Sequence, residues 1–292
     1  MKRFRALALC FAVTLWSGRA LFAAESAPTA GQRVFVCAHS FMIYTAKLLP
    51  PMAEAAGITH VNAGQQMIGG SRVIQHWDLP DAKNFAKAAL RDGKVDVLTL
   101  SPNMLMPDPG IDHFTKLGLE KEPALRVLVQ ASWPTRDGAA GKSFSNETRN
   151  AATVASLRAQ RDAHGTAWLV KLEAQVRALN TTVGRMTVFL VPVSDAVFTL
   201  RERIAEGRAP GLTQQTDLFR DDLGHPHPPL AVLVTYCHFA AIYGRSPVGL
   251  PVPAQLKDQP QAEALNRLLQ QLAWDAVTAH PLSGVHPTPT KS

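Results

Sequence analysis

The stretch "RVFVCAHSF", residues 33–41, is an apolar run that stops abruptly at a histidine, a serine and a phenylalanine. It shows none of the apolar/polar alternation of a strand with one wet face, so it suits a strand covered on both sides. In an open parallel sheet, ligands gather outside the carboxyl ends of the strands. Ser40 falls at that end. It reads either as a hydroxyl that caps the following helix or as a nucleophile, and only partners elsewhere in the chain separate the two.

Four further runs share the character of the first: "THVNAG" (59–64), "VDVLTL" (95–100), "LRVLVQAS" (125–132) and "MTVFLVPV" (186–193). Helical patterns lie between them. "MIYTAKLLPPMAEAAG" (42–57) is broken by its proline pair and is followed by "DAKNFAKAALRDG" (81–93) and "TAWLVKLEAQVRALN" (166–180). The last carries Leu169, Leu172, Val176 and Leu179 at helical spacing. Strand alternating with helix implies a parallel sheet with helices on both faces. The expectation is one three-layer α/β/α sandwich over residues 31–252, with a flavodoxin-like sheet of about five strands in order 2-1-3-4-5. Residues 137–165 read as a polar insertion, a loop or lid. Residues 253–292 read as a surface helix over 255–277 and a disordered tail from His280.

The amino terminus reads as a signal peptide over residues 1–24. Lys2, Arg3 and Arg5 precede the apolar core "ALALCFAVTLW" (6–16), and small residues gather at Ala20, Ala23, Ala24 and Ala27. That core is too short to span a bilayer, and no second long apolar run follows. The expected location is therefore periplasmic or extracellular, with no stable membrane span. The segment holds four basic residues and no acid, so the formal charge of +7 falls to about +3 on its removal. No basic run survives, which argues against a nucleic-acid partner. Cys37 and Cys237 remain, both in apolar runs, and read as buried free thiols rather than a disulfide.

The residues that follow the strands share a theme. His39 and Ser40 follow the first, "MIGGSR" (67–72) with Gly69 and Gly70 the second, and Asn103 the third. After the fifth strand and its helix comes "DLFRDDLGHPHP" (217–228), with Asp222 three residues before His225. A serine hydrolase needs a nucleophile, a base, a group that orients the base, and donors for an oxyanion. Ser40, His225 and Asp222 fill the first three roles. The N–H groups of Gly70 and Ser40 and the amide of Asn103 supply the donors.

These blocks, in this order, resemble the SGNH/GDSL hydrolase superfamily over residues 33–250. The apolar run after His225 and the "SPVGL" ending (246–250) resemble its exported bacterial members. Two blocks depart from the usual pattern. Ala38-His39-Ser40 stands for Gly-Asp-Ser, and Ser101-Pro102-Asn103-Met104 for Gly-x-Asn-Asp. The resemblance implies an ester hydrolase acting on a small-molecule or glycan ester, with a small acyl group such as acetyl, and no cofactor. An acyltransferase and an inactive binding protein on the same fold are the alternatives.

Other features read more plainly. His39, His76 and Trp77 are pocket candidates, with Trp133 beside them, whereas Ser71 reads as a turn or cap residue. His225 and His227 lack further ligands at metal-site spacing, so no metal is expected. "GAAGKS" (138–143) has too few residues between its glycines for a phosphate loop. Nothing here sets an oligomeric state.

Overall fold

The structure, a computed structural model, describes residues 32–139 and 144–286. The signal-peptide reading of residues 1–24 lies outside the described residues, as does most of "GAAGKS". Five strands form one sheet: β1 (Gln32–Ala38), β2 (His60–Met67), β3 (Val97–Leu100), β4 (Arg126–Gln130) and β5 (Val188–Val191). Every pairing is parallel and the order is β2-β1-β3-β4-β5, as expected of the flavodoxin-like class; β2, at the sheet edge, is mostly exposed or half-buried rather than covered on both faces as its run suggests.

The sheet divides the interior in two. Val34, Val36 and Ala38 of β1 face one core, and Phe35 and Cys37 face the other. On the first side lie α1 (Thr45–Ala55), α7 (Val193–Ala205), α8 (Pro228–Tyr243) and α9 (Ala262–Ala279). On the second lie α2 (Val73–Trp77), α3 (Phe85–Arg91), α4 (Pro109–Leu119) and α6 (Val170–Val183). The eleven-residue α5 (Val154–His164) completes the set. Helix α8 is apolar all round because it is buried all round, with α1 and α9 packed against it. Cys237 lies in α8, and both it and Cys37 are free, buried thiols held protonated by desolvation.

Three expectations about local structure need correction. Helix α1 is not broken by its prolines; it runs through Pro50 and Pro51. Leu48, Leu49, Met52 and Ala53 are all buried along it, and that packing outweighs the lost backbone bonds. The insertion 137–165 is not only loop, since α5 and the 3₁₀ turn Asn146–Ala151 lie within it. The tail is ordered through residue 286: the carbonyl of Leu282 accepts the N–H of Leu190 on the edge strand β5, and Leu282, Ser283 and Val285 are buried. An uncovered edge would leave that N–H unpaired.

The chain leaves β1 for β2 on one side and then crosses to β3 on the other. The loops after β1 and β3 therefore diverge, and the crevice between them is where this kind of sheet places ligands.

Candidate functional site

Ser40 stands in the turn that follows β1. The carbonyl of His39 accepts the N–H groups of Met42 and Ile43, which winds the chain towards α1. The helix itself begins five residues after Ser40, with Tyr44 as N-cap and no side-chain capping bond. The serine hydroxyl is thus free of a capping role, and its Oγ lies 2.8 Å from His225 Nε2.

His225 Nδ1 lies 2.6 Å from Oδ2 of Asp221, not of Asp222. A carboxylate only accepts, so Nδ1 carries the proton and Nε2 is left to accept from Ser40. The expected acid, Asp222, points away and accepts the N–H of Asn146 at 2.8 Å. The reason is the turn Asp221–Gly224. Oδ1 of Asp221 accepts the N–H groups of Gly224 (3.0 Å) and His225 (3.1 Å), which aims Oδ2 at the imidazole. Gly224 has φ +96°, and a Cβ there would sit 3.2 Å from Arg149 Nη2 and 3.3 Å from Trp133 Nε1. Partial burial pushes the Asp221 carboxyl up, but its bonds from His225 and Gly224 together outweigh this and hold it below its ordinary value.

The loop is locked from two sides. Phe41 meets the His225 ring edge-on at 5.3 Å and stacks on Trp133 at 4.7 Å, whose Nε1–H donates to the Gly224 carbonyl. Arg149, fully buried, donates to the carbonyls of both Asp221 (3.0 Å) and Asp222 (2.9 Å). It also pairs with Asp137, which in turn pairs with buried Arg201 at 2.6 Å. Arg149 thus fixes the turn that aims Asp221 at His225, a contact that sequence reasoning missed. A lone arginine in a polar insertion carries no signal of burial.

The donor side is built by the loops after β2 and β3. Gly70 adopts φ +60°, a conformation glycine takes at no steric cost. Nδ2 of Asn103 donates to the Gly70 carbonyl at 2.6 Å, so the two predicted oxyanion residues are joined. An amide has two N–H bonds, and this leaves one of them to point elsewhere. Behind them, buried Asp108 accepts the N–H groups of Val73, Ile74 and Gly110, tying α2 to the start of α4. Ser71 bonds the Ile68 carbonyl and His76, the turn role expected of it.

The pocket candidates divide. His39 lines the cavity but is 6% exposed. Its Nδ1 accepts the Phe41 N–H and its Nε2 faces the Pro102 carbonyl, which makes it a neutral spacer where the resemblance has an aspartate. Burial lowers its pKa to about 4, opposed in part by the Pro102 bond, with nearby His225 adding the least, a further lowering. His76 is not in the pocket: it is buried between Ser71 and Gln66, and burial lowers it to about 4. Trp77 is also elsewhere, stacked on His113 beneath Lys87. Trp133 is buried behind Phe41 and offers no open face.

Ser40, His225, Gly70 and Asn103 open on one cavity of about 590 Å³, walled also by Phe41, Met67, Met104, Thr135 and Leu223. That volume suits a small-molecule ligand. Among the described residues, no group of three or more His, Cys, Asp or Glu side chains is placed to hold a metal ion, and no helix is long and apolar enough to cross a membrane.

Fold and site together define an α/β protein with a five-stranded, all-parallel sheet and a Ser-His-Asp relay at the carboxyl ends of its strands. The chain is similar in structure to a crystal structure of a DUF4886 family protein from Bacteroides uniformis, with a TM-score of 0.54 and 16% identity. The match covers 85% of this chain and 95% of that one, and at this identity it shows a shared fold. No family model matches the sequence, and no curated protein matches it.

Proposed function

We propose that this chain is a carboxylic-ester hydrolase of the SGNH type, with Ser40 as nucleophile, His225 as base and Asp221 as the orienting acid. The observation that carries the reading is the relay of 2.8 Å and 2.6 Å contacts from Ser40 through His225 to Asp221, opening on a cavity. The order of Ser40, Gly70, Asn103 and His225 along the chain supports the same assignment.

In the proposed reaction His225 Nε2 takes the Ser40 proton as Oγ attacks the ester carbonyl. The negative charge that develops on the carbonyl oxygen is met by the N–H groups of Ser40 and Gly70 and by the Asn103 amide. His225 returns the proton to the departing alcohol, and the acyl group stays on Ser40. Water, deprotonated by His225, then releases the acid and restores the serine. Asp221 stabilises the imidazolium formed in each half. The reaction draws on no metal or organic cofactor. The amino-terminal 24 residues support export to the periplasm or beyond.

Labelling with a serine-reactive fluorophosphonate tests the proposal. The native chain is expected to be labelled and to cleave p-nitrophenyl esters, and Ser40→Ala to do neither. Hydrolysis by Ser40→Ala at the native rate, or a native chain that neither labels nor cleaves, sinks it.

A further inference from the structure

We infer that the ester's acyl group is an unbranched aliphatic chain longer than acetyl, lying against Met67 and Met104. This rests on the esterase reading and assigns the substrate class of that same site.

The cavity wall carries the argument. Once the reacting groups, the glycines and His39, whose two ring nitrogens are both engaged by the protein, are set aside, the side chains that remain are Phe41, Met67, Met104, Thr135 and Leu223. Four of these are wholly apolar and none is charged. Sugar hydroxyls moved into such a wall would lose their hydrogen bonds to water without replacement. The two tryptophans are also withdrawn from stacking on a sugar ring, Trp133 beneath Phe41 and Trp77 against His113.

The chemistry orients the ester within the wall. The leaving oxygen has to face His225 Nε2, which returns its proton, and that side of the cavity is bounded by Leu223, two residues before His225. The oxyanion faces Gly70 and Asn103. Met104 directly follows Asn103, and Met67 ends β2 just before the Gly69-Gly70 turn. The acyl arm therefore runs past the donors onto the two methionines. Met67 is 49% exposed, and neighbouring Leu105 is 64% exposed. That exposed apolar surface is the contact a chain longer than acetyl would gain. Methionine is unbranched and adapts its shape, which suits a linear chain better than a branched or ring acid.

A series of p-nitrophenyl esters from acetate to decanoate tests this with the mature protein. Each methylene laid on the methionines is expected to raise kcat/KM about two- to threefold up to octanoate, less than full burial would yield because the groove is open. In the double variant Met67→Ser with Met104→Ser, the octanoate-to-acetate ratio is expected to fall by at least about tenfold, since losing contact with the methylenes that separate the two chains, at the lower factor for each, amounts to more than that. Fluorophosphonate labelling of the variant checks that Ser40 is still assembled. A preference for acetate in a native protein that labels overturns the acyl assignment and leaves the esterase reading standing. An unchanged chain-length profile in a labelling double variant overturns it equally. Absence of both labelling and hydrolysis at every length removes the esterase reading, and this inference with it.

Discussion

Replacing Asp221 with asparagine separates the two adjacent acids of "RDDLGH" (220–225) by chemistry rather than by position. An asparagine keeps an oxygen for the Gly224 and His225 N–H groups, so the turn survives. Its NH₂ then faces Nδ1 and forces that nitrogen to accept, which puts the imidazole proton on Nε2. Ser40, 2.8 Å away, loses the acceptor for its own proton. Where the acid is deeply buried, such a tautomer switch lowers kcat by about 10⁴-fold. The Asp221 side chain is 41% exposed and part of its field is screened. The expected loss is therefore about 10³-fold, about 4 kcal/mol of transition-state stabilisation. Asp222→Asn keeps an oxygen for the Asn146 N–H, loses only a surface charge, and is expected to stay within about twofold of native. The assay is kcat/KM on p-nitrophenyl butyrate, with melting curves to show that both variants fold. Equal impairment of the two variants, or a native rate for Asp221→Asn, would refute the assignment of the acid.

Arg149→Met removes the donors that hold the Asp221 and Asp222 carbonyls and leaves buried Asp137 with Arg201 alone. It is expected to cost about 3–5 kcal/mol by denaturant unfolding and to lower kcat at least about tenfold with KM little changed, since the acid drifts while the cavity wall stays; a KM effect alone would argue for a different role. His39 and His76 are both lowered to about 4 by burial, so the unfolded state binds more protons than the native one below about pH 6.5. Stability is thus fully present above that pH and is lost as pH falls towards 4, by up to about 3 kcal/mol for each histidine. Unfolding free energies measured from pH 7 to 4 are expected to fall more gently in His76→Gln, and an unchanged slope would contradict buried neutral imidazoles. Gly224→Ala places a Cβ 3.2 Å from Arg149 Nη2 at φ +96° and is expected to lower kcat as well as stability, whereas Gly249→Ala, at φ +94° with open space around it, should show only the backbone strain of about 1–3 kcal/mol.

The parts of the site that were legible in the sequence are those tied to strand ends. Ser40, Gly70 and Asn103 could be placed because each follows an apolar run, and parallel sheets collect such residues on one edge. The acid could not be placed that way. Asp221 and Asp222 are neighbours of one type, and spacing from His225 favours the wrong one. The signal that separates them is the turn pattern Asp-x-x-Gly, in which an aspartate at the first position accepts from the backbone ahead and a glycine at the fourth takes a positive φ. Arg149 left no such signal, because its role depends on three segments meeting: the 3₁₀ turn that carries it, the acid loop, and Asp137.

The sequence by itself determined the layers, the number and order of strands, and the edge of the sheet where chemistry belongs. The layers and strand number follow from local patterning, since the buried runs of β1, β3, β4 and β5 declare themselves residue by residue, while the order follows from the fold class that alternating strands and helices imply. Only the tertiary structure decided which of two adjacent carboxylates turns to His225, that His39 is a neutral prop and His76 and Trp77 lie outside the cavity, and that residues 280–286 cover the edge of β5. Each depends on which backbone donors and acceptors are left unpaired once distant segments have packed.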